Sequence, residues 1–432
     1  MELEELLISV RKLKDEESNF VEFKSGSTVI PVSGKVLDSS DFVNMVDSVI
    51  EGHLTSGRYT QEFQRKLANF IGMRGGIFVN SGSSANLLAI SSLTSLKLGS
   101  EALKAGDEVI TVAMGFPTTI SPIIQNGLVP VFVDIDPLTL NINVDELTEA
   151  LSHRTRAIMI AHTLGNPFNI RAVQEFCVKN NLWLIEDNCD ALGSEYEGQK
   201  TGSFGDISTL SFYPAHHITT GEGGMVLYKS PLVQRQIESF RDWGRDCYCE
   251  TGCDNTCMKR YGWKLGDLPE GYDHKYTYSH IGYNLKATDI QAALGVSQFD
   301  KLPKFIEIRR RNFNYLRENL KDLSCISFVE ATTNSNPSWF GFPIILKENN
   351  GINREDFLKF LEEKKIGTRL MFAGNILRQP AFKKITCKIA GKLENTDFIM
   401  NRGFWIGVFP GITIEMLDYV IENIHKYLAA YE

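Results

Sequence analysis

The sequence predicts an α/β fold with a mostly parallel central sheet and a smaller α+β domain at its carboxyl end. Between about residues 40 and 300, short apolar runs such as "VPVFVDID" and "LWLIEDN" alternate with amphipathic stretches such as "NIRAVQEFCVKNN". Apolar runs of this length, rich in Val and Ile, are typical of parallel strands that helices cover on both faces. A long helical pattern at 301–322 then leads into a different arrangement of strands and helices.

The chain of 432 residues is long enough for more than one domain. Near its carboxyl end, "NREDFLKFLEEKK" predicts a helix that Asn353 caps, and a final helix is expected from about residue 413. An irregular loop at 247–276 interrupts the large domain, and loops of this length usually have a function. We therefore expect an N-terminal helix and arm at 1–35, a large α/β domain at 36–300 and a small domain at 301–432.

Composition and charge argue against several classes of partner. The formal net charge of −8 is unfavourable for broad binding to nucleic acid or acidic membranes. No apolar run reaches transmembrane length and "MELEELLISVRKLKDEE" at the N-terminus has no apolar signal core, so we expect a cytoplasmic protein. In that reducing compartment a disulfide framework is disfavoured, and the four cysteines between 247 and 257 suggest metal ligation instead.

Two short motifs suggest a site for a phosphorylated ligand. "VNSGSSANLLAI" (79–90) combines a strand, a turn of small residues and a helix start, where the exposed amides of Gly82 and Ser83 suit a phosphate. In "LIEDNCDALGS" (184–194), Asp187 ends a buried strand, which is where open α/β sheets bind ligands. Each motif alone is also compatible with an ordinary capped helix start, so the interpretation depends on their combination.

The order of the motifs resembles one family. The turn, the strand-end aspartate, "SFYPAHHITTGEGG" (211–224) and "IGYNLKATDIQAALG" (281–295) follow one another as in sugar aminotransferases of the DegT/DnrJ/EryC1/StrS family, which are pyridoxal-phosphate enzymes of aminotransferase fold type I. The resemblance extends from residue 54 into the small domain and implies a homodimer with shared sites. It implies that Gly82, Ser83 and Ser211 bind the cofactor phosphate, together with Asn284 of the partner subunit. It also implies that Asp187 pairs with the pyridine nitrogen, that Phe116 stacks on the ring and that Asp190 lies near the ring hydroxyl.

His216 is the largest departure from this family, because it stands where the family has its Schiff-base lysine. Imidazole cannot form the Schiff base by which the lysine binds the cofactor, so the covalent link used in ordinary transamination is absent. A histidine can still accept a proton near neutral pH, which makes His216 the expected catalytic base, with Asp190 as the second catalytic residue. The alternative is that His216 or His217 is a polar loop residue of an inactive protein.

The cysteine spacing favours an iron–sulfur cluster. The four candidate ligands are Cys189, Cys247, Cys249 and Cys257. Four thiolates are what an all-cysteine 2Fe–2S cluster requires. Zinc also accepts four thiolates, but a C-x-C pair with two isolated cysteines fits poorly to the C-x2–4-C pairs that are usual in zinc sites. Cys253 is a fifth candidate, so the spacing alone does not decide whether Cys253 replaces one of these four ligands.

The combination is similar to the iron–sulfur sugar 3-dehydrases within the family. It implies C3 dehydration and deoxygenation of a nucleotide-linked 4-keto-6-deoxyhexose, CDP-linked by default, in the 3,6-dideoxysugar biosynthesis of lipopolysaccharide O-antigens. Pyridoxamine phosphate and a 2Fe–2S cluster would be the cofactors, a flavin and iron–sulfur NAD(P)H reductase or a ferredoxin would donate electrons, and Arg378 would contact the substrate diphosphate. The alternatives are a cluster-free, glutamate-dependent 3-dehydrase or sugar aminotransferase, and a non-catalytic cofactor- or redox-sensing homologue.

Overall fold

The computed structural model describes residues 2–17, 22–247, 249, 255–256, 258, 260–348 and 351–431. Cys257, one of the predicted cluster ligands, and Cys253 lie outside these described residues. The α-helices of the described residues are α1 (Leu3–Glu17), α2 (Ser39–Glu51), α3 (Arg58–Ile71), α4 (Gly82–Leu93), α5 (Pro117–Gln125), α6 (Leu147–Ala150), α7 (Ile170–Asn180), α8 (Pro231–Arg241), α9 (Asp289–Leu320), α10 (Arg354–Glu363), α11 (Glu394–Arg402) and α12 (Ile414–Leu428).

The β-strands of the same residues are β1 (Gly75–Val79), β2 (Glu108–Val112), β3 (Val129–Val133), β4 (Thr155–Ala161), β5 (Trp183–Asp187), β6 (Glu195–Tyr196), β7 (Gln199–Lys200), β8 (Ile207–Ser211), β9 (Gly224–Tyr228), β10 (Ile326–Phe328), β11 (Ser335–Asn336), β12 (Gly341–Leu346), β13 (Thr368–Leu370), β14 (Lys388–Ile389) and β15 (Gly403–Gly407). Eight of them form the central sheet in the order β1-β9-β8-β5-β4-β2-β3-β14. Within this sheet only β9 is antiparallel to its neighbours, so the predicted mostly parallel sheet is confirmed.

Helices cover both faces of the central sheet. On one face α4 and α8 pack with Ile207 of β8 and Val226 of β9. On the other face α3 and α9 pack with Leu210 and Leu227 of the same two strands. Successive strand residues point to opposite faces, so each strand contributes apolar side chains to both layers. This double burial explains why the strands are nearly continuous apolar runs in the sequence.

The small domain has its own antiparallel sheet, in the order β10-β12-β15-β13. Asn353 caps α10 through hydrogen bonds from the amides of Glu355 and Asp356, as predicted, and the final helix α12 begins at Ile414. Strand β14 leaves this domain and pairs with β3 at the edge of the central sheet. None of the described helices combines the length and the apolar composition that crossing a membrane would need.

The long helix begins earlier than the sequence pattern indicated. Helix α9 covers Asp289–Leu320 rather than 301–322, so the expected domain boundary at residue 300 falls inside it. Thr288 and Gln291 form a capping box at its start, which is the sequence signal for the true beginning of the helix. Pro303 lies in the helix interior without ending it.

Candidate active site

Asp187 lies at the carboxyl end of β5 and is held there by a buried network. Its Oδ2 accepts hydrogen bonds from Asn86 Nδ2 of α4 (2.8 Å) and from Thr119 Oγ1 of α5 (2.6 Å). Thr209 of β8 in turn fixes the Asn86 amide with a 2.6 Å bond to its oxygen. The other carboxylate oxygen, Oδ1, accepts a hydrogen bond from the Cys189 amide at 3.2 Å. Oδ1 therefore keeps acceptor capacity for a further N–H donor.

The amino end of α4 forms a cradle of small residues beside Ser211. Ser81 caps the helix by accepting a hydrogen bond from the amide of Ser84 at 3.0 Å. Gly82 and Ser83 occupy the first helical turn, where backbone N–H groups lack partners within the helix. A Cβ on Gly82 would lie 2.4 Å from the Ser211 Cβ, so only glycine allows this approach. The arrangement brings together three of the predicted phosphate contacts.

Phe116 and Asn284 lie at the margins of this cradle. Phe116 precedes α5 and is 56% exposed, although Thr119, one turn later, is buried against Asp187. Asn284 is exposed and forms an isolated antiparallel bridge with Asp242. The adjacent Leu285 accepts a 3.0 Å bond from the amide of Asn80, which directly follows β1. Both predicted residues are accessible to a molecule that approaches from outside the chain.

His216 and Asp190 face each other. The distance from His216 Nδ1 to Asp190 Oδ1 is 3.4 Å, and each side chain is 15% exposed. This contact is longer than an ordinary hydrogen bond, but it brings a titratable ring next to a carboxylate. Burial raises the pKa of the Asp190 carboxyl, and the facing His216 ring partly opposes that rise. The two predicted catalytic residues are therefore neighbours in the fold.

His217 points away from this pair. It is 2% exposed, and its Nε2 lies 2.9 Å from the backbone oxygen of Ser338. A carbonyl oxygen only accepts, so Nε2 carries the proton and donates it. Burial lowers the pKa of His217 well below its usual value, which keeps the ring neutral. The geometry thus distinguishes His217 from its neighbour His216, which is the predicted base.

Sequence analysis missed a buried arginine behind the histidine loop. Arg309 of α9 is fully buried and donates 3.2 Å hydrogen bonds to the backbone oxygens of His216, Trp339 and Phe340. Burial lowers the pKa of its guanidinium to about 9, so the group stays charged at neutral pH. The only sequence signal is helical spacing, because Arg309 lies on the buried face with Phe305.

The remaining predicted residues lie in three places. Arg378 ends a short 3-10 turn and forms an ion pair with Asp397, whose Oδ1 accepts from Arg378 Nε at 2.7 Å. Cys189 lies beside Asp187 rather than in the irregular loop. The ligand atoms of Cys247 and Cys249 lie within 4.8 Å of each other and of a ring nitrogen of His274, a residue the sequence analysis did not consider.

Comparison with known proteins places this geometry in a family. A model of the DegT/DnrJ/EryC1/StrS aminotransferase family matches residues 37–425, which is most of the chain. The chain belongs to the DegT/DnrJ/EryC1/StrS aminotransferase family. It is 58% identical over 408 residues to the lipopolysaccharide biosynthesis protein RfbH of Salmonella typhimurium, covering 94% of this chain and 93% of that protein. It is 54% identical over 424 residues to the dTDP-4-dehydro-2,6-dideoxy-D-glucose 3-dehydratase of Saccharopolyspora spinosa, covering 98% and 92%.

Solved structures named as sugar-nucleotide 3-dehydratases have the same fold. GDP-4-keto-6-deoxymannose-3-dehydratase with bound GDP-perosamine gives a TM-score of 0.83 at 28% identity, covering 91% of this chain and 100% of that one. The Escherichia coli GDP-4-keto-6-deoxy-D-mannose-3-dehydratase with bound hydrated pyridoxal phosphate gives 0.82 at 28% identity, covering 91% and 98%. The predicted aminotransferase fold and the prediction that the chain is an enzyme are confirmed.

Proposed function

We propose that this chain is a sugar-nucleotide 3-dehydratase that uses pyridoxamine phosphate and a 2Fe–2S cluster to remove the C3 hydroxyl of a nucleotide-linked 4-keto-6-deoxyhexose. The observation that carries the proposal is the position of His216, whose imidazole lies 3.4 Å from Asp190 in the loop where the family has a lysine. A site with a base but no amine favours proton transfer over transamination. Relatives named as 3-dehydratases at 54% and 31% identity support the reaction class.

The residues around Asp187 fit a pyridoxal-type cofactor. Asp187 Oδ1 retains acceptor capacity for a protonated ring nitrogen, because the side chains of Asn86 and Thr119 both bind Oδ2. The amides of Gly82 and Ser83 at the start of α4 and the hydroxyl of Ser211 would hold the phosphate. Phe116 would cover one face of the ring, since its own side chain is left exposed. The named relative with bound pyridoxal phosphate supports this assignment.

The chain's own residues would move one proton. When bound, pyridoxamine phosphate supplies an amine that joins the C4 ketone of the sugar and a ring that accepts electrons. His216 would remove the proton from the C4′ carbon of the cofactor and later return it. Asp190 would hold the Nδ1 side of the imidazole, which leaves Nε2 as the accepting atom. Arg309 would keep the loop in place through the His216 carbonyl.

Completing the deoxygenation requires two electrons, and we assign their delivery to the cysteine-rich loop. A 2Fe–2S cluster passes one electron at a time, so it suits a reduction that follows loss of the C3 hydroxyl as water. Cys189, Cys247, Cys249 and Cys257 are the proposed ligands from the sequence spacing. A flavin and iron–sulfur NAD(P)H reductase or a ferredoxin is the proposed donor.

We propose CDP as the nucleotide, and a homodimer in which Asn284 of the partner subunit reaches the cofactor phosphate. Arg378 is the proposed diphosphate contact, since its guanidinium is exposed and has only Asp397 as its ionic partner among the described residues. The relatives are named for dTDP- and GDP-linked sugars, so the nucleotide needs a direct comparison. The relative named for lipopolysaccharide biosynthesis supports a role in making dideoxysugars for surface polysaccharides.

The test is anaerobic reconstitution of the full chain with iron, sulfide and pyridoxamine phosphate. The protein is then given CDP-, dTDP- or GDP-linked 4-keto-6-deoxyhexose, with and without a reductase and NADH. We expect a 3-deoxy product only with the reductase, and the fastest turnover with the CDP sugar. Turnover driven by glutamate in protein that contains no iron would instead support the cluster-free alternative. Pyridoxamine phosphate binding without consumption of any sugar would support a non-catalytic homologue.

A further inference from the structure

A small cavity lies beside the histidine loop. Its volume is about 10 Å³, which is room for about one water molecule. Residues 34–36, the loop between β8 and β9 and helix α9 contribute to its wall. Four of the polar side chains that line it are Lys35, His216, Thr219 and Gln298. A cavity of this size with polar walls suits a water molecule, whereas apolar cavities stay dry.

Both histidines of the loop line this cavity, and each has a buried ring nitrogen without a well-formed hydrogen bond. Nδ1 of His217 has no hydrogen-bond partner among the described residues, although its Nε2 donates to the Ser338 carbonyl. Nδ1 of His216 has only the 3.4 Å contact with Asp190 Oδ1, which is too long for an ordinary N–H···O hydrogen bond. Unpaired buried polar atoms are uncommon, so a further partner is expected for both nitrogens.

The two nitrogens have complementary hydrogen-bonding roles. His217 donates through Nε2, and burial lowers its pKa well below the usual value, so its Nδ1 is an acceptor at neutral pH. His216 accepts the substrate-side proton through Nε2 under the proposed function, so its Nδ1 carries a hydrogen and is a donor. One water molecule can join such a pair, because it accepts from the donor and donates to the acceptor.

We propose that one internal water molecule bridges Nδ1 of His216 and Nδ1 of His217, and that this bridge holds His216 in the tautomer whose Nε2 accepts a proton. The inference rests on the proposed function, because it adds a positioning contact to the base named there. His217 is a positioning residue in this arrangement, since it acts on the reaction only through the water and His216.

Gln298 provides a third partner for the same water. Its side chain lines the cavity, and among the described residues its Oε1 accepts only a 3.4 Å hydrogen bond from the Thr219 amide. Its Nε2 is fixed by bonds of 3.1 Å to both carboxylate oxygens of Asp41. The Oε1 atom can therefore accept the second hydrogen of the water. Three polar partners are the usual number for a buried water molecule.

The test fills the cavity without removing a polar group. Val36 is partly buried and lines the cavity, so Val36→Leu adds a methylene group where the water would bind. The matched control is Val29→Leu, the same substitution at a side chain that is 60% exposed and lies outside the cavity. A second variant, His217→Leu, removes the acceptor itself and applies if the longer side chain of Val36→Leu turns away from the cavity. His217→Gln, by contrast, retains an acceptor oxygen for the water.

Each protein is studied as the full chain. High-resolution crystal structures show whether the cavity contains a water molecule. Nitrogen magnetic resonance of protein with isotopically labelled histidine reports which ring nitrogen of His216 carries the proton, and the spectrum of His216→Asn identifies the signal. Deuterium incorporation at the C4′ carbon of bound pyridoxamine phosphate measures the activity of the base.

We expect the water and a single Nδ1–H tautomer of His216 in the wild type and in Val29→Leu. Val36→Leu and His217→Leu should lack the water and show a mixture of both tautomers. Their exchange rate should fall about 2- to 10-fold, the effect of losing one hydrogen bond that favours the reactive tautomer. The affinity for pyridoxamine phosphate should be unchanged in Val36→Leu, because the Asp187 network lies elsewhere.

A wild-type cavity without water would overturn the proposal. The same conclusion would follow if the water is lost and His216 keeps a single Nδ1–H tautomer, or if Val29→Leu slows exchange as much as Val36→Leu. The water and the tautomer are observed without sugar, cluster or reductase. A wild-type protein that shows both and yet deoxygenates no sugar nucleotide would therefore contradict the proposed function and leave the bridge in place.

Discussion

Asp190 Oδ1 and His216 Nδ1 lie 3.4 Å apart, one after the carboxyl end of β5 and the other in the loop between β8 and β9. The carboxylate can hold the ring and stabilise its protonated form, which is how a histidine base is usually oriented. His217, next in sequence, is instead bonded to the Ser338 carbonyl. The structure therefore gives one of the two histidines the surroundings of a base and the other those of a structural donor.

Replacing His216 by Asn should abolish proton exchange at the cofactor C4′ carbon, because the amide cannot accept the proton. We expect the exchange rate to fall by about 10²- to 10⁴-fold, the usual contribution of a general base. Deuterium incorporation into bound pyridoxamine phosphate measures the rate. Its affinity should change little, since the Asp187 network and the α4 cradle are untouched.

The matched control is His217→Gln, whose amide can still donate to the Ser338 carbonyl. It should leave the exchange rate near that of the wild type. The assignment is wrong if exchange survives in His216→Asn and disappears in His217→Gln.

Replacing Asp190 by Asn should slow exchange and yet stabilise the protein at neutral pH. Burial raises the pKa of this carboxyl in the folded state. A raised carboxyl pKa favours the fold at low pH, and that contribution is lost as the pH rises through the folded-state pKa. Because Asn is neutral at every pH, the melting temperature of the variant relative to the wild type should increase from about pH 4, near the unfolded value, to pH 7.

Exchange in Asp190→Asn should fall by at least about 10-fold, since the imidazolium loses its carboxylate. Thermal melts across this pH range test the predicted stability, and deuterium exchange on the same samples tests the predicted exchange rate. A relative stability that declines as the pH rises would contradict the assignment of Asp190 as a buried, costly carboxylate.

Local signals in the sequence were sufficient for much of the fold and part of the site. Asp187 could be placed at a strand end because the strand and the turn after it are contiguous in sequence. The capping of α10 by Asn353 was equally local.

Other features depend on contacts between distant segments. Arg309 belongs to a run of three arginines, and helical spacing with Phe305 is the only local feature that sets apart the one buried under the histidine loop. His274 is brought to Cys247 by pairing of the segments on either side of the irregular loop. Adjacent histidines likewise cannot be told apart until Ser338 is known to lie beside one of them.

Replacing Asp187 by Asn should weaken binding of pyridoxamine phosphate. The ring nitrogen would lose an ionised acceptor, and hydrogen bonds to charged groups contribute about 1.5–3 kcal/mol. We therefore expect the dissociation constant to rise by about 10- to 100-fold in equilibrium titration. The control Asp206→Asn alters a carboxylate that binds the Leu184 amide at the opposite end of β5. A similar loss of affinity in both variants would argue for a general effect on the sheet rather than a contact with the cofactor.

Replacing Arg309 by Met should destabilise the protein and slow exchange together. The substitution keeps much of the side-chain volume but removes the donor to the carbonyls of His216, Trp339 and Phe340. Leaving buried acceptors without donors should lower the free energy of unfolding by about 2–4 kcal/mol, measured by chemical denaturation. The exchange rate should fall because the His216 loop loses a fixed contact, while the affinity for pyridoxamine phosphate changes little.

The matched control is Arg311→Met, two residues further along α9, because that exposed guanidinium binds only the side chain of Asn312 among the described residues. It should change neither stability nor exchange appreciably. Arg309→Lys should recover part of the stability and part of the exchange rate that Arg309→Met loses. Its ammonium can donate to some of the three carbonyls but lacks the planar guanidinium that reaches them all. Loss of stability with an unchanged exchange rate in Arg309→Met would show that Arg309 supports the packing of α9 and has no part in positioning His216.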